Sequence, residues 1–214
     1  MKKHDNTRGA LLAKFLLMTF RGLFILYSIG LVLYILICSI SLGTGNQSQY
    51  ANLPVVFSFT ETGNLISPGI KNAATFKLHN ATGIISTDSL TTGTTIFSMV
   101  GSVLISICIL LIIKLICQIL EAAKTNDFLV VKNAIRMRHM ALLFIMVFLI
   151  DKIKLFVSSS YLADKLEFTG VNFNSVNFYS FANWEYVFFY LFLLVIAEAF
   201  RIGAQLKREN DLTI

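Results

Sequence analysis

Charged residues are scarce in this sequence: they make up 14% of its 214 residues, whereas an average soluble domain has about a quarter. Apolar residues account for 56%, and the mean hydropathy is +0.72. This composition excludes an ordinary water-soluble domain, because a chain of this size could not cover so much apolar surface with polar groups. We therefore expect an integral membrane protein.

Cysteine and histidine are also rare, with three of each. Three cysteines cannot all pair within one chain, and all of them fall inside apolar stretches, so a disulfide framework is not expected. The histidines lie in separate segments, and none has a partner at metal-ligand spacing. No paired acids or nucleophile with a base converge at one depth of the bilayer. The sequence thus predicts no cofactor, no metal and no enzymatic activity.

Four long apolar stretches are present, at residues 23–42, 96–120, 140–161 and 184–200. Each approaches the roughly 20 residues that a helix needs to cross a bilayer. The first is too long for a cleaved signal sequence and lacks a cleavage site after it. We predict one all-α membrane domain over residues 1–214, a four-transmembrane-helix bundle with outer loops at 43–95 and 162–183 and an inner loop at 121–139.

Basic residues set the expected orientation, because loops rich in Lys and Arg stay in the cytoplasm. The amino-terminal segment, the 121–139 loop and the carboxyl-terminal tail contain twelve, whereas the 43–95 and 162–183 loops contain three. Both termini are therefore predicted to be cytoplasmic. Residues 10–20 should form either an interfacial helix or a cytosolic extension of the first span.

Only the outer loops contain patterns typical of strands. Apolar and polar residues alternate at 54–60 and 74–79, and turns are predicted at 61–64 and 80–83. In the second outer loop, Val171, Phe173 and Phe178 could add a strand or form an aromatic lid on the membrane. A small sheet is the expected structure.

Ionisable residues inside the predicted spans are candidate polar sites, because charge at membrane depth is costly unless it is paired. Lys114 and Glu198 lie near the inner ends of their helices and could form an ion pair. Alternatively, Lys114 extends to the headgroups and Glu198 pairs with Arg201, three residues on. Asp151 and Lys154 share a helix face, either as a buried pair in an ion path or as charges at the outer interface.

The inner loop is a candidate surface for a cytosolic partner. Asn126 or Asp127 can cap a new helix, on which Lys132 and Arg136 share a face at a four-residue spacing. A plain basic anchor beside the third span would account for the same charges.

The carboxyl-terminal run from Ala197 to Ile214 contains the sequence AEAFRIG and closes on ENDLTI. It resembles the ending of a bacterial membrane family catalogued as domain of unknown function 2975, whose last span ends in an alanine, glutamate, aromatic, arginine and glycine pattern. The inner loop is similar to the family's loop through Phe128, Asn133, Arg136 and Arg138.

The resemblance implies an uncharacterised four-span protein of the bacterial inner membrane, with a small cytosolic helix-turn-helix regulator as its partner. We therefore expect a regulatory or sensing role, without direct nucleic-acid binding. The alternative is a small channel or transporter component, with the ionisable residues of the spans lining a polar path. The charged tail either meets the partner or folds back against the inner loop; its residues are Lys207, Arg208, Glu209, Asn210 and Asp211.

Overall fold

The computed structural model describes residues 2–44, 51–65, 74–79, 81–87, 92–124, 129–163, 165, 167, 169–174 and 184–212. Four long helices dominate, and five short strands lie between them in the chain. The elements are α1 (Lys2–Thr44), β1 (Ala51–Phe59), β2 (Gly63–Leu65), β3 (Ala74–Phe76), β4 (Ala81–Thr87), α2 (Thr92–Lys124), α3 (Val131–Ala163), β5 (Val171–Asn174) and α4 (Trp184–Leu212).

The chain divides into two compact units. The first contains Met1–Ile40, Ser102–Ile150 and Asn183–Ile214, and the second contains Ser41–Gly101 and Asp151–Ala182. Among the described residues, the five strands all belong to the second unit, while the first unit contains the greater part of the four helices.

Three helical segments of the described chain are long and apolar enough to cross a membrane: Leu11–Thr44, Gly93–Lys124 and Glu185–Asn210. Their large side chains are mostly not buried in the protein; Leu26 and Phe188, for example, are each 71% exposed. Such extensive exposed apolar surface is typical of a face that contacts lipid. The predicted extension of the first span is present, because α1 is one continuous helix.

The third predicted span falls on α3, which has the required length but a different composition. Its uninterrupted apolar run lies between His139 and Asp151, and charged residues flank the run at both ends. Helix formation at this position is confirmed, whereas the membrane crossing of α3 stays a prediction.

Small side chains allow close packing in the first unit. Ala134 and Ala141 on α3, and Ala197 and Ala204 on α4, are at most 5% exposed and recur every seven residues. Small residues at a helix interface let the two backbones approach closely. An aromatic contact also joins the two helices, since the rings of Phe144 and Tyr190 stack with centroids 5.3 Å apart.

Helices α1 and α2 are joined by hydroxyl groups. The hydroxyl oxygens of Tyr27 and Ser106 lie 3.4 Å apart, and Tyr34 forms a hydrogen bond with Ser102. A polar contact of this kind satisfies groups that would otherwise face hydrocarbon.

The predicted sheet is present in the second unit, with the antiparallel order β4-β1-β5. Strand β1 pairs with β4 from Ala51 opposite Thr87 to Phe57 opposite Ala81. It pairs on its other side with β5, from Val56 opposite Asn174 to Phe59 opposite Val171. The two outer loops therefore belong to one sheet. Strands β2 and β3 form a separate hairpin, and Phe178 lies outside the described residues.

The turn predicted at 80–83 is wrong, because β4 begins at Ala81. Gly83 lies opposite Val55 in the ladder. A Cβ atom at Gly83 would come within 2.9 Å of the Phe57 ring. The glycine therefore gives space to an aromatic ring on the neighbouring strand, and ladder hydrogen bonds override its preference for turns.

The carboxyl-terminal segment also differs from the expected short tail. Helix α4 continues to Leu212, which is about 18 Å beyond Phe200 at the rise of an α-helix. The prediction that Glu209 and later residues fold back against the inner loop is wrong as far as Leu212, because helical hydrogen bonding continues through them.

Candidate functional site

A cluster of charged side chains connects all four helices in the first unit, and we call it the charged cluster. It consists of Arg21, Glu121, Arg136, Arg138, Glu198 and Arg201. Its contacts between helices join helices that are successive in the chain, beginning with α1 and α2. There the Arg21 guanidinium donates to the Glu121 carboxylate at 2.5 Å. Both side chains are about half exposed, so this pair by itself contributes little stability in water.

Arg136 makes the next contact, between α2 and α3. Its Nη1 donates to the backbone carbonyl of Gln118 at 3.1 Å and to the Asn133 side-chain oxygen at 2.7 Å. The Gln118 carbonyl lies in the last turns of α2, where positive charge is favourable because of the helix dipole. Asn133 is fully buried. Asn133 therefore presents no exposed surface to a partner, whereas Arg136 is partly exposed and its predicted role in partner binding stays a prediction.

Glu198 makes the third contact and has two arginine partners. One carboxylate oxygen accepts from Arg138 on α3. The other accepts from Arg201 Nε at 2.8 Å and from Nη2 at 2.6 Å. The local pair with Arg201 is therefore present, while the cross-helix partner of Glu198 is Arg138 and not Lys114. Arg138 is nevertheless 46% exposed, so its predicted contact with a cytosolic partner stays a prediction.

Two other candidate residues belong to the second unit. Asp151 is exposed on α3. Lys154 is partly buried, and its aliphatic stem passes close to Gly101, where a Cβ atom would come within 3.2 Å of Lys154 Cδ. Lys114 and Glu198 belong to the first unit, so the four residues of the predicted ion path are divided between two units. An exposed ionised Asp151 would be costly against hydrocarbon and is best accommodated at headgroup level.

The exposed part of the predicted partner surface is smaller than expected. Lys132 on α3 is exposed, and so are the side chains at positions 207 to 210 on α4. Asp211 lies in the same helical extension, while Phe128, Asn126 and Asp127 lie outside the described residues. Among the described residues of the predicted surface, the exposed ones are thus Lys132, Arg138, Lys207, Arg208, Glu209 and Asn210.

The sheet of the second unit contains an apolar groove of about 400 Å³. Phe57 lies at its centre, with the ring of Phe59 at 5.7 Å in an edge-on arrangement and that of Phe173 at 6.4 Å. Val55 also lines the groove and is only 1% exposed. Aromatic side chains on neighbouring strands stabilise the sheet and leave an apolar surface that could receive a ligand.

Sequence reasoning missed Arg21, Glu121 and Gln118. The sequence feature that could have identified them is their location, because each lies at or beside the predicted inner end of a span. No group of three or more potential metal ligands occurs among the described residues. No family model, curated protein or solved structure matches this chain. The resemblance to the family of domain of unknown function 2975 therefore stays a prediction.

Proposed function

We propose that the chain is a four-span protein of the bacterial cytoplasmic membrane that has a regulatory or sensing role and acts through a cytosolic partner. In this proposal it is not an enzyme. Both termini, the charged cluster and the extension of α4 face the cytoplasm, and the strands face the outside.

The pairing of β1 with β5 supports the fourth span. Strand β1 precedes α2, and β5 follows α3, yet the two strands share a ladder from Val56 to Phe59. Strands that exchange backbone hydrogen bonds must lie on the same side of a membrane. If α2 crosses once, α3 must cross back, despite its charged ends.

The charged cluster supports the same arrangement. Arg21, which lies in the middle of α1 just before the predicted span, contacts Glu121 near the end of α2, and Arg138 near the start of α3 contacts α4. These contacts must lie together on one side of the membrane. The excess of basic residues near them indicates that this side is the cytoplasm.

The observation that carries the regulatory role is the exposed helical extension of α4. Lys207 and Arg208 are exposed on it, several residues beyond the charged cluster, and Lys132 adds positive charge to the same unit. A rigid helix with exposed charge can bind a complementary surface of a small cytosolic protein. The helix-turn-helix regulator implied by the family resemblance is the partner that we propose.

Sensing is assigned to the outer sheet. It joins both outer loops, and its groove around Phe57 offers an apolar ligand surface. The channel alternative receives less support, because Glu198 is engaged with two arginines and Lys114 and Asp151 are exposed in different units.

Photo-cross-linking in native membranes tests the partner. With a photoreactive residue at position 207, we expect an adduct that contains a small DNA-binding protein, because this position faces the cytosol. The matched control is the exposed Tyr186 position near the other end of α4, which should give no such adduct. With the photoreactive residue kept at position 207, Lys132→Glu combined with Arg208→Glu should lower the yield of the adduct. The same adduct from both positions, or a yield that survives charge reversal, would contradict the proposal.

A further inference from the structure

A second groove lies between α2 and α3 in the first unit, with a volume of about 440 Å³. This volume falls within the range of small-molecule sites, about 300–1,000 Å³. Half of its lining residues are leucine, and three polar side chains, Lys114, Gln118 and His139, contribute to it. The charged cluster does not use the Lys114 ammonium or the His139 ring in its described contacts.

The polar and apolar side chains occupy different ends of the groove. The hydrogen bond from Arg136 to the Gln118 carbonyl shows which turns of the two helices are level. Gln118 and His139 therefore mark one end. Seven residues farther along each helix, about 10 Å at the helical rise, Leu111 and Met146 mark the other end. Lys114 lies one turn from Gln118, and the groove is amphipathic along its length.

Charge complementarity identifies the occupant. The groove lining contains a lysine and a histidine but, among the described residues, no carboxylate. An anionic group is therefore favoured at the polar end, while the apolar end matches a hydrocarbon chain. The polar end lies nearest the charged cluster, where the proposed topology puts the inner headgroups, so the polarity of the groove matches that of an inner-leaflet lipid.

We propose that this groove binds one anionic phospholipid of the inner leaflet, with its phosphate at Lys114 and His139 and an acyl chain along Leu111, Leu142 and Met146. The inference rests on the membrane location in the proposed function but not on the cytosolic partner. A bound lipid at this place would contact both α2 and α3 and favour their present packing.

Native mass spectrometry of the full chain in detergent micelles tests the site. Palmitoyl-oleoyl phosphatidylglycerol is titrated against phosphatidylcholine with the same acyl chains. We expect one retained phosphatidylglycerol and no comparable retention of phosphatidylcholine. Lys114→Met keeps the length of the side chain and removes its charge, and it should weaken binding about tenfold through the loss of a charge-assisted contact. Lys132→Met, at an exposed cation outside the groove, should leave binding unchanged.

Soluble glycerol phosphate separates a lipid site from a phosphate site. It should fail to displace the phospholipid, because it lacks the acyl chain that the apolar end receives. Displacement at equal concentration, equal retention of the two lipids, or unchanged binding in Lys114→Met would overturn the proposal. Because no cytosolic protein is present in the micelles, failure here leaves the partner proposal untouched, and the cross-linking experiment fails or succeeds separately.

Discussion

Replacing Ala197 with leucine is expected to lower the free energy of unfolding by about 1–3 kcal/mol, the usual cost of overpacking a filled interior. Ala197 is completely buried, so the three additional heavy atoms of leucine cannot be accommodated without separating α4 from its neighbours. Titration of the solubilised protein with a denaturing detergent, followed by circular dichroism, measures this change.

Ala199 supplies the matched control, because it lies two residues away on the exposed face of the same helix. Ala199→Leu should change the free energy of unfolding by no more than about 0.5 kcal/mol. Equal destabilisation by both substitutions would show that the packing face of α4 has been assigned incorrectly.

The ion pair between Arg138 and Glu198 is expected to give a non-additive effect on thermal stability. Arg138→Ala and Glu198→Ala should each lower the melting temperature, because each leaves the other charge without its partner across the α3 and α4 helices. The double variant should fall by less than the sum, since the second change has no pair left to break. Melting of the detergent-solubilised protein measures all three variants.

A second cycle with Arg138→Ala and Lys207→Ala is the control, because Lys207 is exposed and should act independently. Its two effects should add. If the effects at Arg138 and Glu198 also add, the contact contributes nothing to the packing of these helices, and the charged cluster loses its role in joining them.

The helices were predictable because a long apolar stretch can satisfy its backbone hydrogen bonds without water only as a helix. A spanning segment must satisfy its backbone groups internally, and long apolar stretches without proline do so as helices. Pro54 lies in strand β1 and outside the four helices, none of which contains a proline. The alternation of Val55, Phe57 and Phe59 likewise predicted β1, because period-two apolar patterns mark a half-buried strand.

The contacts of the charged cluster were not predictable in the same way. Arg21 and Glu121 are 100 residues apart in the chain, and Arg138 and Glu198 are 60 apart. Helix periodicity predicts contacts only between residues three or four positions apart. Within the charged cluster it therefore predicted only the pair of Glu198 with Arg201. The choice of Arg138 over Lys114 depends on which helices pack together, which no local pattern specifies.

The prediction of a turn at residues 80–83 was wrong for a related reason. A local asparagine and glycine indicate a turn, but pairing with β1 supplies ladder hydrogen bonds that outweigh local preference. Gly83 then serves to accommodate the ring of Phe57. The end of α4 was missed because charged residues suggested a solvated tail, although lysine, arginine and glutamate are good helix formers.

The sidedness of the strands and of the α4 extension is the central claim, and thiol labelling of intact cells tests it most directly. Single cysteines are placed at Glu61, Asn172, Lys132 and Lys207 in a chain whose three native cysteines have been replaced. A membrane-impermeant maleimide should label positions 61 and 172 in intact cells, and positions 132 and 207 only after the membrane is opened. Labelling of positions 61 and 172 from opposite sides, or of position 207 in intact cells, would contradict the four-span arrangement.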